Sequence, residues 1–254
     1  MRLLLRLFPA AALLLSGCAV YMPMQCAAPQ ISDRKQLELT GSTYLNSRVE
    51  IAAAYSPVRH LLVRAAASSR SGNPRDSSYF RGHQYEVGVG TYFPLGKKVL
   101  VGALGGYGWA RSAARYQNEG QIIYFGHSVQ HEFAARYTKP FGEAYLTWQP
   151  GQRIALGGAY RVTGVRFGKL TDRGAPVGVS TMTRSEPMAY LRVGLGEKQA
   201  VRLQLAIGGS TAFGYDDRAQ PEDVSAEGQV LKGRGYWTLG VSVLPYLLKN
   251  LRKP

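Results

Sequence analysis

Residues 201 to 207 read Val-Arg-Leu-Gln-Leu-Ala-Ile, with Val201, Leu203, Leu205 and Ile207 on one face of an extended chain and Arg202 and Gln204 on the other. Successive side chains of a strand point to opposite faces, so this pattern suits a ribbon that is apolar on one side and polar on the other. The alternation recurs at Tyr85, Val87 and Val89, interleaved with Gln84, Glu86 and Gly88, and again at Trp237, Leu239, Val241 and Val243. Hardly any segment sustains a 3.6-residue stripe, and the frequent glycines would weaken one. The chain is expected to be all-β, with almost no helix.

The connections between these segments alternate in length. Tight ones carry Pro or Gly with basic residues at 56 to 60, 94 to 98, 149 to 153 and 196 to 199, while long polar segments fall near 70 to 82, 112 to 136, 168 to 184 and 214 to 233. Short turns at one end and long loops at the other describe an up-and-down antiparallel barrel of the membrane type. The strands are expected at about 36 to 45, 48 to 55, 60 to 69, 83 to 93, 99 to 111, 137 to 148, 153 to 167, 183 to 195, 200 to 213 and 234 to 244, most near the roughly 9 to 11 residues that a tilted strand needs to cross a bilayer. That makes about ten strands, so both barrel termini fall at the short-turn end. Pro140 and Pro187 are expected to open their strands, or the count is eight with extended hairpins.

If the apolar face is the outer one, aromatic residues collect at its two rims. Tyr55, Phe93 and Trp148 lie near the short turns, and Tyr107, Trp109, Phe213 and Trp237 lie near the long loops. Such girdles suit rings that prefer the headgroup level. The same parity turns Glu38, Glu50, Arg64, Glu86, Glu143, Arg161, Arg192 and Arg202 inward. Four carboxylates and four guanidinium groups in a narrow lumen are expected to interlock as ion pairs, because an isolated buried charge is costly. The expectation is a polar plug in place of a wide pore, unless a bulge shifts the parity.

The N-terminus has the layout of an export signal, with Arg2 and Arg6 ahead of the apolar run from Leu7 to Leu15, which is too short to span a bilayer. Its end, Leu15-Ser16-Gly17-Cys18, resembles a bacterial lipobox, which implies a leader over 1–17 and acylation of Cys18. Residues 18–35 are then the lipidated N-terminus with an unstructured tether, 36–246 the barrel, and 247–254 a basic tail. Without acylation, Cys18 and Cys26 could close a small disulfide loop. The formal charge of +15 could serve nucleic acid, but export makes membrane lipid or lipopolysaccharide phosphate the partner expected. Arg70, Arg75 and Arg81, beside Tyr79 and Phe80, form a candidate anion-binding loop, whereas the last loop carries Asp216, Asp217, Glu222, Asp223 and Glu227.

Catalytic chemistry finds little footing. His127 and Ser128 resemble the pair of outer-membrane lipid A deacylases, with Glu132 or Glu143 to complete a triad, yet adjacent residues of a strand point oppositely. His131-Glu132 opens like a zinc-protease motif, but Ala135 stands where the second His is needed. The glycine-rich stretch at 102 to 108 has no following helix to receive a phosphate, so close strand packing is the better reading. No cofactor, no metal and no catalytic residue are expected.

Taken together, these features resemble the small outer-membrane β-barrel proteins of Gram-negative bacteria over residues 36 to 246. The resemblance implies an outer-membrane protein with a structural or surface-interaction role, not an enzyme. It departs from that group in continuing past Tyr246, and in combining a barrel with an acyl anchor. The alternatives are a lipid-tethered periplasmic barrel carrying an apolar ligand, which would be apolar inside and charged outside, and a lipid A-modifying barrel enzyme.

Overall fold

A computed structural model of the chain describes residues 20–119, 128–216, 219 and 223–248. The leader expected over 1–17, Cys18, His127, Asp217 and Glu222 lie outside the described residues. The strands are β1 (Leu37–Tyr44), β2 (Val49–Tyr55), β3 (Leu62–Arg70), β4 (Tyr79–Leu95), β5 (Val99–Glu119), β6 (Ser128–Trp148), β7 (Ile154–Asp172), the two-residue β8 (Ala175–Pro176), β9 (Thr181–Leu195), β10 (Val201–Ala212) and β11 (Arg234–Val243). Each long strand pairs antiparallel with its neighbour in sequence; β1 pairs with β11 and closes the ring, while β8 only folds back on the end of β7. Ten strands therefore form a closed up-and-down barrel, as the alternating connections predict.

Polarity follows the sequence alternation. On the outer face Leu39, Ile51, Val63, Val87, Val89, Leu203 and Leu239 are all exposed, Ile51 by 60%. On the inner face Glu38, Glu50, Arg64, Glu86, Glu143, Arg161 and Arg192 are buried, Glu86 to within 1%. A soluble carrier would have the opposite arrangement. On β4 the outward residues from Tyr85 to Leu95 cover about 34 Å of strand, or about 24 Å of bilayer at a 45° tilt, close to the apolar band of membrane barrels.

Three expectations about the elements change. The segment 112 to 136 is not mainly a loop, because β5 and β6 run to 21 residues each and stay paired as far as Glu119 and Ser128. Alternation continues there with small and polar residues, such as Ala113 opposite Ala134, so the ladder outlasts the hydrophobic signal. Pro140 and Pro187 sit inside β6 and β9 instead of opening them. Each coincides with a gap in one ladder, β6 with β7 at 139 and 140 and β9 with β10 at 186 and 187, while pairing on the other side continues. The last loop folds into the six-residue helix α1 (Ala226–Leu231), capped by the Ser225 hydroxyl accepting from the Gly228 amide, and the chain ends its described course in α2 (Pro245–Leu248).

The rim at the long-loop end is uneven. The connection from β1 to β2 is only residues 45 to 48, closed by Tyr44 and Arg48, with Ser47 at φ +63°, whereas β5 and β6 rise far beyond it. At the other end, Gly96 and Gly196 turn at φ +68°, a left-handed conformation that only glycine takes without strain.

Inside the barrel, glycines accept the bulk of aromatic rings from the adjoining strand. Gly102 lies opposite Tyr145, Gly157 opposite Tyr190 and Gly208 opposite Tyr236, and a Cβ at Gly102 would stand 2.3 Å from the Tyr145 ring. The glycine-rich stretch at 102 to 108 is thus a packing surface, with Phe141 over Gly106.

Candidate functional site

The largest difference from the sequence expectation is the segment ahead of β1. The tether expected over 18–35 would be solvated, yet residues 20 to 31 are buried without a break apart from half-buried Met22. Their hydrogen bonds reach the inner faces of several strands around the ring, which places them along the barrel axis.

The course of this segment can be followed by its partners. At the long-loop end the Val20 carbonyl accepts from the Ser112 hydroxyl at 2.8 Å, and the Tyr21 hydroxyl donates to Glu186 at 2.6 Å. The Met22 carbonyl accepts from Gln84, and the Pro23 carbonyl from Arg48 at 2.7 Å. At mid-barrel the Gln25 amide donates to Glu50, while the Gln25 carbonyl accepts from Arg64 and Arg161. Further down the Ala27 amide donates to Glu143 at 2.9 Å, and the Gln30 amide to Glu38 at 2.6 Å. The last of these is at the short-turn end, where Tyr246 donates to the Gln30 carbonyl. An extended segment with no strand beside it must find other partners for its peptide groups, and here charged side chains supply them.

Those side chains also bind one another. Glu86 is the hub, meeting Lys139 at 2.7 Å, Arg161 at 3.1 Å and Arg64 at 3.2 Å. Arg161 continues to Glu143 at 2.6 Å and lies over the Phe141 ring, and Arg192 meets Glu38 at 3.2 Å. Arg64 stands 3.9 Å from Glu50. Among the eight inward charges expected from sequence, Arg202 is half-buried near the short turns, where it donates to Gln30. Sequence reasoning missed Arg48, Lys139, Arg184 and Glu186, all buried. Extending the parity of Arg192 back along β9 would have found Arg184 and Glu186, and that of Glu143 along β6 would have found Lys139. Arg48 lies in a turn, where parity says nothing.

Apolar layers bound this charged middle. Toward the short turns Cys26, Ala27, Ala28 and Ile31 pack among Leu62, Tyr92, Leu104, Phe141, Tyr145 and Tyr190. Toward the long loops Val20 and Tyr21 pack among Phe133, Tyr137, Val165, Met182 and Val230 of α1. Arg184 holds α1 by donating to the carbonyls of Val230, Leu231 and Lys232. Among the described residues the segment and the inward side chains occupy most of the lumen, leaving a gap of about 30 Å³ lined by Gln25, Glu38, Glu50, Arg64 and Arg192, and Cys26 beside it is a free, buried thiol.

On the outside, Tyr55, Phe93, Trp148, Tyr107, Trp109 and Phe213 are exposed, Trp237 is half-buried, and Tyr85 and Tyr160 join them. Of the candidate anion-binding loop, Arg70 lies over the Phe80 ring, Arg75 is exposed in the loop, and Arg81 projects from the outer face of β4 beside residues of β5 to β7. His131 does not act with Glu132. It is buried and stacked on Phe133, with one ring nitrogen 2.6 Å from Asp172 and the other 3.0 Å from the Val224 carbonyl, while Glu132 pairs with Arg115 at 2.9 Å. Among the described residues no group of three or more His, Cys, Asp or Glu side chains is arranged to hold a metal ion.

No protein-family model and no curated protein matches the chain. Solved structures do. The translocator domain of the autotransporter NalP from Neisseria meningitidis is 12% identical, with 82% of this chain and 86% of that chain covered at a TM-score of 0.44. The NanC porin is also 12% identical, covering 82% and 98% at 0.36, and the N-terminal β-barrel domain of Pseudomonas aeruginosa OprF is 8% identical, covering 84% and 99% at 0.32.

Proposed function

We propose that this protein is a non-enzymatic outer-membrane β-barrel lipoprotein, sealed by its own N-terminal segment, with a structural or surface-interaction role in the envelope. The observation that carries this reading is the course of residues 20 to 31, whose peptide groups are bound by Glu38, Glu50, Arg64, Glu143 and Arg161 across the lumen. A pore for solutes needs an open path, and here the path is occupied by covalently attached chain. An exterior of Val, Leu and Ile between aromatic rims supports insertion in a bilayer, with the short turns facing the periplasm.

The same course supports one side of the membrane for an anchor. Cys18 precedes Val20 by two residues, about 7 Å of extended chain, and Val20 sits level with Ser112 in the long-loop half. Acyl chains on Cys18 would therefore attach in the outward-facing half, and not at the periplasmic rim that a free tether would suggest. Surface labelling of intact cells tests this together with the seal. An epitope inserted after Cys18 is expected to react from outside, and the purified protein in planar bilayers is expected to pass no steady current. A conducting wild-type protein, or its release by carbonate with no heat-modifiable gel mobility, would overturn the reading.

A further inference from the structure

On the outer wall, four adjacent strands present a basic side chain at the same level, three of them Arg or Lys. His83 on β4 is paired in register with Arg111 on β5, Arg111 with Arg136 on β6, and Arg136 with Lys169 on β7. All four are exposed, as is Arg81 two residues along β4. Like charges directly opposite one another on a sheet repel. Among the described residues no carboxylate lies in ion-pairing distance of Arg81, Arg111, Arg136 or Lys169; Glu132, further up the hairpin, is engaged by Arg115.

Lys169 is in this row because of a fault in the ladder. β7 carries Arg161, Thr163 and Val165 inward, and unbroken alternation would turn Lys169 inward as well. The register with β6 jumps from Arg136 opposite Lys169 to Tyr137 opposite Phe167, leaving Gly168 unpaired. That bulge turns Lys169 to the outside, beside Arg136. Bulges commonly re-aim a side chain in this way.

The surroundings have the polarity of an amphiphile's binding site. A groove of about 350 Å³ is lined by Arg81, His83, Arg111, Arg136 and Lys169, and a second of about 420 Å³ continues from His83, Arg111 and Arg136 to Tyr85, Trp109 and Thr138. These basic side chains thus stand one outward position, about 7 Å along the strand, beyond the aromatic residues that begin the apolar belt. From His83 to Lys169 the row spans three strand spacings, on the order of 14 Å. One phosphate cannot engage it all, whereas two phosphates held apart by a disaccharide above acyl chains can.

We infer that this row binds the phosphate groups of a lipopolysaccharide molecule, with acyl chains lying down the wall past Tyr85 and Trp109. The inference rests on the outer-membrane reading above. Its test is native mass spectrometry of the full protein in detergent, after incubation with bisphosphorylated lipid A, its phosphate-free analogue or phosphatidylglycerol. The wild type is expected to retain one bisphosphorylated lipid A and neither alternative. The double variant Arg111→Ala with Arg136→Ala, still showing heat-modifiable mobility, is expected to bind about tenfold more weakly or worse, and the matching double Lys variant to recover part of the binding. Lys169→Ala, which leaves the bulge in place, is expected to lower retention less. Equal retention of the phosphate-free lipid or of phosphatidylglycerol, or retention by the Ala variant equal to wild type, would sink the proposal. Such a result would leave a folded, carbonate-resistant barrel standing, whereas release by carbonate would remove the membrane reading even if lipid A still bound in detergent.

Discussion

Glu86 faces three cations in a space without water-exposed surface, so its charge is the one the lumen is built around. Removing one partner of a buried pair typically costs about 3–5 kcal/mol, since the charge left behind has nowhere to go. Glu86→Gln is expected to lower stability by about that amount in denaturant unfolding of the detergent-folded protein, and Glu86→Arg, which adds a fourth cation, to abolish the heat-modifiable folded band. Gly102→Ala tests a different force. Its methyl group would meet the Tyr145 ring, so melting should occur at lower temperature, by an amount worth about 1–3 kcal/mol, unless Tyr145 is shortened to Leu in the same chain. Both residues could be placed by parity alone. What parity could not supply was the partner of each, because Lys139 and Tyr145 both come from β6, whose register with its neighbours no single strand reveals.

At the scale of elements, the sequence reading was reliable where outward positions are apolar and failed where they are not. It ended β5 at 111 and began β6 at 137, where Arg111 and Arg136 replace Trp109 and Thr138 on the outer face. The ladder does not require apolar side chains, only partners, and each strand found one in the other. The same limit hid α1, six residues whose stability comes from burial of Val230 and from Arg184, not from its own propensity. Its entry is pinned by Asp223, which accepts from the Ser225 amide and the Tyr215 hydroxyl at 2.9 and 3.0 Å. Partial burial pushes the Asp223 carboxyl up, but these hydrogen bonds and the nearby Lys232 charge outweigh it and hold the carboxyl below the usual aspartate range. A depressed carboxyl contributes stability above the pKa it has when unfolded, and that contribution is lost as pH falls through the lower, folded value. Hydrogen exchange of residues 223 to 232 should therefore quicken, relative to the barrel strands, as pH drops below about 4, and Asp223→Asn should remove the pH dependence. No change in protection between pH 6 and pH 3 would show that the cap does not depend on this carboxylate.

The molecule as a whole is where sequence reasoning went furthest astray, and the cause is specific. Residues 20 to 31 have no alternation and no turn signal, because their polar partners are side chains of distant strands and not a neighbouring backbone. The inward charges were legible and their mutual pairing was expected, but a lumen of ten strands has room for those charges and a peptide chain as well. A direct check is the thiol of Cys26, which is buried among the inward side chains. Maleimide should fail to label it in the folded protein and label it fully after heating in detergent; fast labelling of the folded form would mean that the segment leaves the lumen.

Topologically, the described chain is a ring that holds its own N-terminal segment along its axis. Such an object behaves as a rotaxane does: the thread slides out only if its free end can pass the ring. Before β1 meets β11, the segment is free to be laid in from the side; afterwards it can leave only along the axis, past a lumen lined with Glu and Arg. The seam between β1 and β11 is then a latch over the segment, released sideways only by opening the ring itself.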